Sequence, residues 1–208
     1  MDQEFPGRFD TLNGVQFLAE HAYIPFAEIE RAIPWPLSKI DRNENDAEHS
    51  YSLALIGATL AEPLGLDSAK VTLYATVHDF VERYAGDTSV WDEKLLETKE
   101  QREAEALEFI RANYPETLSN TIEDYDNLVD EESKFIYALD KLIPTIMIVA
   151  DNGRFWKENS ISYAMFLERA QYVTAQKVAI YPVVSLWYQE LVDHVTAHKH
   201  KLFNDIYT

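Results

Sequence analysis

Apolar residues recur at helical spacing along almost the whole of this 208-residue chain, and no stretch alternates clearly with a period of two. A first helix is predicted from Asp10 or Thr11 to about Tyr23, broken at Pro25. Pro34-Trp35-Pro36 then demands an extended turn, because each proline restricts its own φ and the residue before it. A second helix starts near Asn45, where Glu48 three residues on completes a capping-box pattern, and ends around Leu64-Gly65. His49, Leu53, Ile56 and Leu60 share its expected buried face. A third helix, capped by Asp67 or Ser68, runs through Val71, Tyr74, Ala75, His78 and Glu82, with Gly86 as its stop.

A charged amphipathic stretch follows from Asp92 to Asn113, and the acidic segment from Glu123 to Glu132 is the best candidate for an exposed loop. Another helix begins near Ser133 and carries Phe135, Ile136, Leu139, Asp140 and Ile143. Helical stretches from about Ser160 to Val178 and from Pro182 to His200 close the chain. With no internal repeat and no low-complexity linker, the expectation is an all-α helical bundle in which residues 1–208 form a single domain.

Composition narrows the chemistry. A chain that is 47% apolar and 12% aromatic can bury a substantial core. Its net charge of -18, from 36 acidic and 18 basic residues, argues against a nucleic-acid polymer or an anionic membrane surface as partner. A small phosphate ester remains compatible if a metal and a few cations line the cleft. The absence of cysteine removes disulfide scaffolds, zinc-thiolate sites and thiol nucleophiles. No window approaches 18 uninterrupted apolar residues, so no membrane span is expected. Met1-Asp2-Gln3-Glu4-Phe5 lacks the basic start and apolar run of a secretory signal, and a cytoplasmic location is expected.

The candidate chemistry lies in separated pieces. Glu48-His49-Ser50 is followed 29 residues after His49 by His78-Asp79, with Glu82 close behind and Asp140 downstream in Leu139-Asp140-Lys141. Two imidazoles and two carboxylates suit a divalent first-row metal, which can activate water at neutral pH. Each piece alone has a plainer reading: His49 as a hydrogen-bonded core histidine, His78-Asp79 as a chance dipeptide. Helical spacing of His78, Asp79 and Glu82 lets all three face one cleft.

Several segments match the HD-domain phosphohydrolases in order and spacing. They are Trp35, the run Arg42-Asn43-Glu44-Asn45-Asp46-Ala47-Glu48-His49-Ser50, the run His78-Asp79-Phe80-Val81-Glu82 with Gly86-Asp87, the stretch Lys99 to Ala106, and Lys134 to Leu142. The chain resembles that superfamily over roughly residues 30 to 150, and within it the small branch of deoxyribonucleoside 5'-monophosphatases. The resemblance implies an HD-type bundle in which His49, His78, Asp79 and Asp140 bind one divalent ion, for which Mn2+, Co2+, Ni2+ and Zn2+ are all suitable. It further implies attack of an ion-activated water on a small nucleotide, a deoxyribonucleoside 5'-monophosphate, and a homodimeric enzyme.

In that resemblance Glu82 orients or deprotonates the water, its alternative being a solvated helix carboxylate. Asp87 holds the water or the sugar end, or is a plain turn aspartate. Arg42 meets the phosphate, or forms a structural salt bridge to Glu44 or Glu48. Trp35 stacks on the sugar or base, or is a packing anchor. The branch carries an arginine directly before the tryptophan, where this chain has Pro34, leaving Lys39, Arg31 or Arg42 as substitutes. That departure keeps open a deoxynucleoside triphosphate triphosphohydrolase on the same site; a separate alternative is a catalytically silent scaffold that binds nucleotide or a protein partner, against which retention of all four ligands and Glu82 argues. His194, His198 and His200 near the C-terminus read as cations favoured by a helix dipole, with metal binding as the alternative.

Overall fold

The computed structural model describes residues 12–36, 41–86 and 97–204. The described residues open with α1 (Leu12–Leu18), a π-turn (Ala19–Tyr23) and α2 (Ile24–Ala27) in one continuous run, and the expected start at Asp10 or Thr11 lies outside them. The expected break at Pro25 does not occur. Pro25 lies in the first turn of α2, and the His21 carbonyl that a helical amide at 25 would serve accepts from the Tyr114 hydroxyl at 2.9 Å.

Next comes a two-stranded antiparallel ribbon that the hydrophobic pattern did not reveal: β1 (Glu30–Pro34) paired with β2 (Asn43–Asn45). Glu30 stands opposite Asn45 and Pro34 opposite Asn43, with an irregularity between them. Strands this short leave almost no periodic trace. The ribbon leads into α3 (Asp46–Ala61), whose N-cap Asn45 and N3 residue Glu48 form the expected capping box. The buried stripe of α3 runs through His49, Leu53, Gly57 and Ala61, while Ile56, expected inside, is exposed. Gly57 lets α3 approach its neighbours, since a Cβ there would lie 2.9 Å from Ile136 Cδ1 and 3.0 Å from Val71 Cγ1.

A 3-10 turn (Glu62–Leu64) ending at left-handed Gly65 leads to α4 (Ser68–Val77), capped by the Asp67 carboxylate. The predicted third helix is interrupted where it matters. After Val77 the backbone tightens into bonds between residues three apart, Phe80 N to Val77 O at 3.0 Å and Glu82 N to Asp79 O at 2.8 Å. Helix geometry resumes in α5 (Glu82–Ala85), and Gly86 stops it at φ 77°.

Beyond it lie α6 (Lys99–Asn113), α7 (Glu116–Asp126), α8 (Glu131–Ala150), α9 (Arg154–Glu158), α10 (Tyr163–Gln176) and α11 (Pro182–Leu202). The acidic segment expected as a loop is the last turn of α7, a short turn and the first turn of α8. Its charge is used in capping: Asp130 accepts from Ser133 N at 2.8 Å.

The larger hydrophobic cluster joins α3, α4 and α8 to α10 and α11 through Leu53, Tyr74, Phe135, Ile136, Phe166 and Val184. Trp156 and Phe203 stack at 4.7 Å and fasten the C-terminal end to it. A second cluster gathers Val77, Phe80 and Val81 with Phe17, Ile110 and Ile122. The turn carrying His78 and Asp79 is therefore pinned between two cores, which fixes it without regular helical bonds. Among the described residues the ribbon's two strands are the only ones and every other regular element is a helix, as the all-α expectation requires, and no helix is long and apolar enough to cross a membrane.

Candidate metal centre

His49 sits in the first turn of α3 with no solvent exposure, and its Nε2 lies 2.8 Å from Asp140 Oδ1 on α8. His78, at the end of α4, directs Nδ1 at the Ala75 carbonyl, 2.9 Å away. A carbonyl only accepts, so Nδ1 carries a hydrogen and the Nε2 lone pair of the neutral ring points the other way. That Nε2 is 3.0 Å from Asp79 Oδ2 and 3.7 Å from Asp140 Oδ1, yet it is buried without a well-formed hydrogen bond. One ligand atom from each of His49, His78, Asp79 and Asp140 lies within 4.8 Å of the others. Two imidazole nitrogens, one of them the orphaned Nε2 of His78, and two carboxylate oxygens converging in this way fit a divalent ion.

Asp140 is aimed by its neighbour. Lys141 Nζ holds Oδ2 at 2.5 Å, leaving Oδ1 for the imidazoles. Burial disfavours the charge on Asp140, but Lys141, His49 and His78 hold its carboxyl well below the usual range. Asp79 is likewise penalised by burial and held low by His78 and Arg31. Burial opposes a charged His78, yet Asp79 and Asp140 push it up to about 10. His49 is raised against burial through its bonds to Asp140 and Glu44. Without a metal, the charge of Asp79 and Asp140 is offset by a proton on the His78 ring and by the Arg31 and Lys141 side chains.

Beside this cluster opens a cleft of about 430 Å³ lined by Asp79, Glu82, Lys99, Asp126, Tyr137 and Lys141, among others. Glu82 begins α5 with its side chain 13% exposed and Lys99 Nζ 4.0 Å away. Partial burial, Glu103 and Asp79 push the Asp126 carboxyl up to about 6.

Other predicted residues fall differently. Arg42 forks onto Glu48 with two bonds of 2.7 Å and lies 5.1 Å over the Trp35 ring, so its salt-bridge alternative is the one seen. Among the described residues neither Arg42 nor Trp35 lines the cleft. Lys39 and Asp87 lie outside the described residues. Sequence reasoning passed over Lys99, Asp126 and Lys141 as site residues and weighed Arg31 only as a substitute phosphate cation. Arg31 Nη1 instead lies 2.7 Å from Asp79 Oδ2 and 3.0 Å from Asp46 Oδ1. Lys141, adjacent to Asp140, is the one whose place in the sequence offered a signal.

A helical scaffold gathering two histidines and two aspartates at one point defines an all-α protein with a candidate metal centre of mixed nitrogen and oxygen donors. The chain belongs to the HD-domain family, whose model matches residues 29–180. It is also similar to the crystal structure of a predicted metal-dependent phosphohydrolase from Magnetospirillum magnetotacticum MS-1. The two are 25% identical with a TM-score of 0.71, over 94% of this chain and 98% of that one. No curated protein matches the chain.

Proposed function

We propose that this protein is a metal-dependent phosphohydrolase that removes phosphate from a small nucleotide, a deoxyribonucleoside 5'-monophosphate. The observation that carries the proposal is the convergence of His49, His78, Asp79 and Asp140 beside a cleft holding Glu82. Those four residues would hold one divalent ion. When bound, such an ion supplies Lewis acidity to a phosphoryl oxygen and lowers the pKa of a water.

The chain's own groups do the rest. Glu82 accepts a proton from the attacking water as its oxygen bonds to phosphorus. The bond to the ester oxygen breaks, that oxygen takes up a proton, and nucleoside and orthophosphate are the products. Lys99 and Lys141, which line the cleft, are the cations assigned to the phosphate in place of Arg42. The rings of Tyr125 and Tyr137 wall the same cleft, whose volume falls within the range of small-molecule sites.

Those two lysines also favour a second reading, since a pair of cations can neutralise a longer phosphate chain. Incubating the metal-loaded protein with each deoxynucleoside mono- and triphosphate separates the cases. Orthophosphate from monophosphates supports the proposal, and tripolyphosphate from triphosphates supports the second reading. No phosphate release from any of them would leave a silent binding scaffold.

A further inference from the structure

A second group of carboxylates meets at Asp79. Ligand oxygens of Asp46, Asp79 and Glu82 lie within 4.8 Å of one another, and the histidine-containing set meets the same limit. Arg31 is inserted among them: Nη1 lies 2.7 Å from Asp79 Oδ2 and 3.0 Å from Asp46 Oδ1, and Nε lies 3.7 Å from Glu44 Oε2. Its side chain is only 14% exposed. The ribbon puts it there, because pairing of Glu30 with Asn45 sets Arg31 against the strand that carries Glu44 and runs into Asp46.

We propose that Arg31 is a positioning residue that stands where a second divalent ion would otherwise bind, keeping the centre mononuclear while fixing Asp79. The inference rests on the metal reading of His49, His78, Asp79 and Asp140. Three carboxylates this close repel one another unless a cation lies between them. A guanidinium serves permanently, since it is not deprotonated and its planar fork spans two carboxylates. Removing the guanidinium leaves an all-oxygen set, the donor type that Mg2+ and Mn2+ prefer.

The test counts ions instead of turnover. Metal-free wild type, Arg31→Gln, Arg31→Lys and the double variant Arg31→Gln/Asp46→Asn are each titrated with Mn2+ and followed by calorimetry, bound-metal analysis and electron paramagnetic resonance. Wild type and Arg31→Lys are expected to bind one ion per chain with an isolated-ion spectrum. Arg31→Gln should bind two, with the exchange-coupled signal of ions sharing Asp79 and a larger Mn2+-induced rise in melting temperature. The double variant should return to one. Wild type binding one ion while Arg31→Gln also binds one overturns the inference and leaves the metal reading standing. So does an Arg31→Gln protein that stays unfolded at millimolar Mn2+, because the carboxylates then do not accept an ion in place of Arg31. Wild type binding none overturns both.

Discussion

Nε2 of His49 and Oδ1 of Asp140 lie 2.8 Å apart although 91 residues separate them in the chain. The pair ties the first turn of α3 to the middle of α8, and His78 and Asp79 close the pocket from a third element. Removing one carboxylate of such a set takes away both a ligand and part of the charge that attracts the cation. Asp79→Ala is expected to abolish metal retention and turnover together, measured by bound-metal analysis of purified protein and by phosphate release.

Glu82 should separate the two properties. It lines the cleft but is not among the four converging ligands. Glu82→Ala is expected to keep the metal while turnover falls by about 10²-fold or more. An unchanged rate would remove Glu82 from the role of base.

Metal uptake should release protons. The His78 ring is pushed up to about 10, so in the metal-free protein it is protonated below that pH, whereas a ligand ring must present a bare nitrogen. Affinity for the ion therefore rises with pH between about 6 and 9, by up to about tenfold per unit for each proton displaced. Calorimetry in buffers of different ionisation enthalpy measures that proton count directly, and a count of zero contradicts the assignment of His78.

Asp130 predicts a stability effect at acid pH. Its carboxylate caps α8 and accepts from the Tyr74 hydroxyl at 2.9 Å and Lys70 Nζ at 2.6 Å. Burial works against its charge, but the bonds from Lys70, Ser133 and Tyr74 lower its pKa to about 2. A depressed carboxyl stabilises the fold above its unfolded value, near 4, and loses that contribution as pH falls towards 2. After allowance for solvent screening this is on the order of 1 kcal/mol. Asp130→Asn should flatten the dependence of stability on pH in that window, as read by urea unfolding.

Gly153 tests the junction between the ends of α8 and α11. It has φ 73°, and a Cβ there would overlap the Leu202 backbone. Gly153→Ala is expected to destabilise the fold by about 2 kcal/mol or more in thermal or denaturant unfolding.

The chain's local patterns determined the helical class, the caps at Asn45 and Asp67, the stop at Gly86 and the residue types that could meet at a metal, because caps and amphipathic spacing are interactions between residues a few positions apart. Tertiary structure decided what no local pattern records. The tight turn at His78 exists because Val77, Phe80 and Val81 are drawn into a different core from Tyr74 and Ala75. Arg31 reaches Asp79 across 48 residues because a five-residue strand pairs with a three-residue one too short to announce itself. Which carboxylate each basic residue meets was likewise settled by packing: Arg42 and Lys141 both lie near the site, and only the fold turns one onto Glu48 and the other towards Asp140.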